Sequence, residues 1–467
     1  MSSLLIRNAT LPDGRTGLDV LCADGRIANL APRISAAAER TIDAGGMLVA
    51  PPFVDAHFHM DSTLTYGMPR VNASGTLLEG IALWGELKPT LTQEAIVGRA
   101  LAYCDWAVGK GLLAIRSHVD TSDPRLLAVE ALLHVRERVK PYLDLQLVAF
   151  PQDGLLRSPG ALHNLKRALS MGVDVVGGIP HFERTMTDGA ESVRILCEIA
   201  ADLGRRVDMH CDETDDPMSR HVETLACQTQ RLGLQGRVAG SHLTSMHSMD
   251  NYYVSKLIPL LREAGVAAIA NPLINITLQG RHDTYPKRRG MTRVPELLAA
   301  GVPVAFGHDC VMDPWYPLGS GDMLEVAAMG LHVAQMTGRE AMRACFDAVT
   351  STPASILGLD GYGLAPRALD SKRRRWMACS MDDFSSSRWR SGPAPQAPCT
   401  QHPPILLEPG RNTTPRRARV SRTVPERKDA HHAPHGAQGS AVEHAGRRAR
   451  ARQPASCCAC PCRQRRS

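Results

Sequence analysis

Val54-Asp55-Ala56-His57-Phe58-His59 lies at the end of an apolar, strand-like run and sets two imidazoles one residue apart. Three later segments finish in the same way: Val207-Asp208-Met209-His210, Ala239-Gly240-Ser241-His242 and Phe306-Gly307-His308-Asp309. Imidazoles with one carboxylate suit zinc or ferrous iron, and an incomplete protein shell leaves a position for a reactive water. An H-x-H pair carries little by itself. The weight comes from the position of the whole set, each member following an apolar run at a recurring spacing. His118 and His181 stand alone and read as hydrogen-bonded structural residues.

Working outward from these runs, strand signals are expected at 48–54, 113–118, 143–150, 173–179, 207–211, 238–242, 266–270 and 302–306. Amphipathic stretches of helical length separate them, at 93–108, 125–139, 191–203, 223–232, 253–264 and 323–336. Eight such units predict a (β/α)8 TIM barrel over residues 51–350, an α/β fold whose chemistry belongs at the C-terminal strand ends. The candidate ligands fall at the ends of strands 1, 5, 6 and 8. Residues 1–50 carry short strand signals at 4–7, 18–21 and 26–30, with turns at Pro12-Asp13-Gly14 and Asp24-Gly25, and read as part of a small β-sandwich domain.

The chain of 467 residues carries a net charge of +7, but the charge is unevenly spread. Residues 361–467 hold 21 Lys and Arg against 7 Asp and Glu, which leaves 33 against 40 in the first 360. The main body is therefore mildly acidic and gives no sign of nucleic-acid attraction. No apolar run approaches the ~18 residues of a membrane span. The opening residues show no signal-peptide pattern, so a cytoplasmic location is expected. Cys22, Cys104, Cys197, Cys211, Cys227, Cys310 and Cys345 have no paired spacing and read as reduced thiols. Beyond Gly363 the sequence turns basic, Pro-rich and aperiodic, so 363–467 is expected to be a disordered or frameshifted tail.

Longer stretches make the reading specific. They include Ser74-Gly75-Thr76-Leu77, Val148-Ala149-Phe150-Pro151-Gln152, Ile179-Pro180-His181-Phe182-Glu183 and His210-Cys211-Asp212-Glu213. Further on come Ala270-Asn271-Pro272-Leu273, Leu278-Gln279-Gly280-Arg281 and Asp313-Pro314-Trp315-Tyr316-Pro317-Leu318-Gly319. Over residues 1 to about 363 the chain resembles the amidohydrolase superfamily, and within it the bacterial-type cytosine deaminases.

The resemblance implies one divalent metal, Fe2+ or Zn2+, held by His57, His59, His210 and Asp309, and an aminopyrimidine as the small-molecule substrate. It gives Glu213 the role of protonating the ring nitrogen, Asp309 that of relaying a proton to departing ammonia, and His242 that of orienting the attacking water. It makes Gln152, Leu77, Trp315 and Cys310 the substrate-facing residues. Gln152 can both donate and accept at an amide-like ring edge, and Trp315 reads as a packing surface or a loop anchor. Cytosine-specific members carry two consecutive Asp after the eighth strand, whereas here Asp309 is followed by Cys310. That exchange makes the wall smaller and uncharged, so tolerance of a 5-substituted cytosine is expected. The family also completes its small β-domain with C-terminal strands, which this tail does not resemble.

The expected function is metal-dependent hydrolytic deamination of cytosine or a 5-substituted relative. Alternatives are action on another amino-heterocycle, such as isocytosine or a triazine, or opening of a cyclic amide. Binding of acidic surfaces or nucleic acid through the basic tail is a more distant one. The sequence leaves a homo-oligomer open.

Overall fold

The structure is a computed structural model and describes residues 3–364. The expectation for the basic tail falls on residues that, from 365 onward, lie outside the described part.

The chain begins with a four-stranded sheet of β1 (Ser3–Ala9), β2 (Leu18–Ala23), β3 (Arg26–Ala31) and β4 (Arg40–Asp43), in the order β3-β2-β1-β4. Asp24 and Gly25 both have positive φ, 53° and 74°, the geometry in which a two-residue turn matches the twist of a hairpin. Alternating side chains of this sheet bury Leu4, Ile6, Leu18, Val20 and Ile27 in a core of their own, against which Leu364 packs. β4 was not expected, since Arg40-Thr41-Ile42-Asp43 has one apolar residue; it exists because it pairs in parallel with β1. Among the described residues this domain is a single sheet.

Eight parallel strands follow: β5 (Phe53–Phe58), β6 (Leu112–Asp120), β7 (Asp144–Phe150), β8 (Val175–Gly178), β9 (Arg206–Cys211), β10 (Val238–His242), β11 (Val266–Ala270) and β12 (Val304–Phe306). They hydrogen-bond in sequence order, and helices cover the outside. β5 starts at Phe53 and not at 48, because Pro51 and Pro52 have no N–H to give to a ladder. Its end shifts with it, so His57 sits inside the strand.

The sheet closes on itself where β5 meets β12. Asp309 N–H donates to His57 C=O (2.8 Å), and His59 N–H donates to Asp309 C=O (3.0 Å). Buried Asp55 staples the same seam, its Oδ1 accepting from the backbone N–H groups of His57 (3.1 Å) and His308 (3.0 Å). Lower in the barrel Arg116 and Asp208 form a buried ion pair at 2.9 Å. Gln146 accepts from Arg116 Nε, and Ser241 donates to Asp208 Oδ1, so neither charge is left unpaired.

The helices follow the expected logic of capping and amphipathicity. Asn251–Ala264 is capped by Asp250, whose side chain accepts from Tyr253 N–H, and ends at Gly265 in the left-handed region. It buries Val254, Leu257, Ile258, Leu261 and Ala264, one stripe at helical spacing, where each large apolar side chain is worth about 1.5–3 kcal/mol. A helix at Leu77–Leu87, which the sequence reading left without an assignment, is capped by Thr76 Oγ1 accepting from Glu79 N–H. No helix among the described residues is long and apolar enough to cross a membrane, and the seven cysteines of the body are free thiols.

Candidate metal centre and pocket

The strand ends bring His57, His59, His210 and Asp309 together, with one candidate donor atom from each lying within 4.8 Å of all the others. Asp309 Oδ1 is 3.3 Å from His59 Nε2 and 3.5 Å from His57 Nε2, and His59 Nε2 lies 2.9 Å from His210 Nε2. All four are buried. Both ring nitrogens of His57 and Nδ1 of His210 have no hydrogen-bond partner. Unpartnered polar atoms this deep are costly unless something binds them. Burial pushes the His59 imidazole down to about 4 and holds His210 well below its ordinary value, so both keep a lone pair at neutral pH. Burial works against the Asp309 carboxylate, but the imidazoles of His57 and His242 outweigh it and hold the group well below the usual carboxylate range. Three imidazoles and one carboxylate fit a single divalent metal.

Asp309 and His242 each adopt φ near +70° (71° and 72°), a region that non-glycine residues rarely occupy. Such strain costs on the order of 1–3 kcal/mol each and gathers at sites where function holds a side chain in place.

The remaining expected residues line one cavity beside this cluster. Leu77, Gln152, Glu213, His242, Cys310 and Trp315 line it with Ile179, Ile274 and Leu278, and His59, His210 and Asp309 lie at the same wall. Glu213 is buried, and burial followed by the charge of Asp309 pushes its carboxyl well up from the ordinary value, towards the neutral acid. A bound dication would pull it back down. Burial likewise raises the Cys310 thiol, whose Sγ lies 3.7 Å from Asp309 Oδ1, so this wall presents a neutral S–H. Trp315 packs on the helix Leu77–Leu87 and stands 6.3 Å, centroid to centroid, from both His59 and Trp84. Trp84 is fixed in turn: its Nε1–H donates to Asp120 Oδ2 (2.8 Å), which Lys88 also contacts at 2.9 Å while reaching Asp153 at 2.7 Å.

The model of the amidohydrolase family matches residues 40–369. The chain belongs to the amidohydrolase family. It is 44% identical to a 5-methylcytosine deaminase from Klebsiella pneumoniae, solved with 5-fluorocytosine, with a TM-score of 0.76 over 78% of this chain and 88% of that one. It is 29% identical to the N-isopropylammelide isopropyl amidohydrolase of Pseudomonas sp. (strain ADP), over 77% of this chain and 88% of the relative. The pterin deaminase of Rhizobium rhizogenes (strain K84) is 28% identical, over 77% and 84%. This amidohydrolase is therefore a hydrolase of carbon–nitrogen bonds.

Several residues around its centre were not read from sequence. His118 and His181, taken as hydrogen-bonded structural residues, each have both ring nitrogens buried and unpartnered. His118 lies 4.2 Å from His57 and 4.4 Å from His210 between ring centroids, within the imidazole cluster. Asn271 and Asn275, on either side of the first turn of the helix Pro272–Leu278, pack against His242. A lone His carries no spacing signal, and an Asn among apolar residues looks like an ordinary helix-start residue.

Proposed function

We propose that this amidohydrolase deaminates cytosine, or a cytosine substituted at C5, to the oxo-pyrimidine and ammonia, using one ion of Fe2+ or Zn2+ held by His57, His59, His210 and Asp309. When bound, such an ion lowers the pKa of a coordinated water toward ~7 and so supplies a nucleophile at neutral pH. The other tasks fall to the chain. Gln152 reads the amide-like edge of the ring, while Leu77 and Trp315 pack against its faces. Glu213, buried and disposed to carry a proton, gives it to the ring nitrogen as attack proceeds. His242 orients the attacking oxygen, and Asp309 passes the proton of that water toward the departing amino group.

The observation that carries this reading is the placement of Cys310 in the pocket wall next to Asp309, in a chain 44% identical to a 5-methylcytosine deaminase. A neutral thiol leaves room for a C5 methyl group that a carboxylate would resist. A second reading draws support from the ammelide- and pterin-processing relatives: a different amino-heterocycle fills the same pocket. The test is an ammonia-release screen of metal-loaded protein with cytosine, 5-methylcytosine, isocytosine, an aminotriazine and pterin. Turnover of the first two supports the proposal. Ammonia from triazine or pterin alone transfers the assignment to the second reading, and ring opening without ammonia rejects both.

A further inference from the structure

The amide of Asn275 touches two partners that together leave it one orientation. The backbone N–H of Asn271, which can only donate, points at Asn275 Oδ1 at 3.0 Å. The oxygen is thereby assigned, and the nitrogen Nδ2 must be the atom that faces His242 Nδ1, at 2.9 Å. An amide nitrogen cannot accept, so His242 Nδ1 must, and the ring proton of a neutral imidazole then sits on Nε2. Asn275 is fully buried and His242 nearly so, which keeps bulk water from offering either group another partner. Asn271 Nδ2 does not disturb this assignment. It lies 3.3 and 3.4 Å from Nδ1 and Nε2, and a donor almost equidistant from two ring nitrogens lies along the lone pair of neither.

We infer that Asn275 is a positioning residue that fixes His242 as its Nε2–H tautomer and so makes it a hydrogen-bond donor toward the metal centre. Nε2 faces Asp309 Oδ2 at 3.7 Å, too far for a direct bond and close enough for one oxygen atom to bridge. A nitrogen carrying a proton cannot ligate a metal through that atom, nor take the proton of an attacking water. His242 thus donates to that oxygen and holds it, while proton acceptance is left to Asp309. Nδ1 also lies 3.4 Å from Glu213 Oε1, farther than the 2.9 Å to Asn275 Nδ2. The catalytic consequence rests on the deaminase reading; the tautomer does not.

The experiment is 15N NMR of histidine-labelled protein, metal-free and zinc-loaded, with His242→Gln used to assign the His242 signals among the 18 histidines. The parent is expected to show a proton on Nε2 and a bare Nδ1 in both states. Asn275→Asp, whose carboxylate can only accept, is expected to move the proton to Nδ1 and to lower kcat by roughly 10²-fold or more with little change in KM or metal content. A parent spectrum with the proton on Nδ1 overturns the inference, as does an Asn275→Asp spectrum with the proton still on Nε2. Should that variant not fold, the parent spectrum decides alone. An Nε2–H parent that releases ammonia from no ring would sink the deaminase reading and leave the tautomer assignment standing.

Discussion

Trp315 lies so close over Gly80 that a methyl group on that glycine would come within 2.8 Å of the indole Cγ and nearer still to Cδ1 and Nε1. The helix Leu77–Leu87 therefore carries a glycine where helix propensity favours alanine by about 1 kcal/mol. The missing side chain is the space in which a wall of the pocket sits. Gly80→Ala is expected to keep the fold and the metal while pushing the indole toward the ring site, so that KM rises by about tenfold or more, as for the loss of one good packing contact. Steady-state kinetics with the best substrate of the screen, beside metal analysis, reads this. An unchanged KM would mean that Trp315 does not contact the substrate.

One divalent ion per chain is expected on reconstitution. The double variant His57→Ala, His59→Ala should lose it, together with activity. Elemental analysis after gel filtration is the measurement, and full metal content in the double variant would refute the ligand set.

Glu213→Gln retains shape and hydrogen bonding but has no proton to give. Metal content should stay at the parent level while turnover falls by ~10²-fold or more. Loss of metal along with activity would instead assign Glu213 to coordination or to folding.

Cys310 is expected to govern the choice of ring. With the parent, 5-methylcytosine should be handled at least as well as cytosine, since a buried methyl group is worth about 0.8 kcal/mol. Cys310→Asp places a carboxylate at that wall and should shift the ratio of kcat/KM toward cytosine. An unchanged ratio would show that the thiol does not face C5.

Asp313 gives a pH signature. Its Oδ1 accepts from the N–H groups of Trp315 (2.9 Å) and Tyr316 (3.0 Å), and Ser62 donates to Oδ2 at 3.1 Å. Burial nonetheless pushes its carboxyl up to about 7 from an ordinary value of 3.8. A folded-state value above the unfolded one means that the neutral form is favoured in the fold. Its contribution to stability is full below pH 4 and is lost as pH rises to 7. Asp313→Asn keeps the acceptor and cannot ionise. Its stability relative to the parent, followed by thermal melts, should therefore climb between pH 4 and 7, by an amount on the order of a few kcal/mol at most. A difference that is flat with pH would show that the carboxylate is ionised throughout.

The barrel was legible because buried parallel strands are short apolar runs, and the candidate metal cluster was legible because its members close three of those runs. The start of β5 was misjudged because Leu48 and Val49 look like strand, while the two prolines that bar pairing come just after them. The helix Leu77–Leu87 escaped notice because Gly80 and Gly85 interrupt its pattern, and the first of these is there for Trp315. Asn275 could not be singled out from sequence, since its importance lies in two partners, Asn271 and His242, that only the fold orients around it.

The seam between β5 and β12 carries a topological consequence. The hydrogen bonds that turn an open sheet into a ring run through His57, His59 and Asp309, the residues that also face the metal position. An ion held there would act as a buckle, tying the first turn of the belt to the last across about 250 residues of chain, a loop whose closure is entropically expensive. Such an ion would reinforce a closure the backbone already makes, and a barrel without it would be weakest along the line where the chemistry takes place.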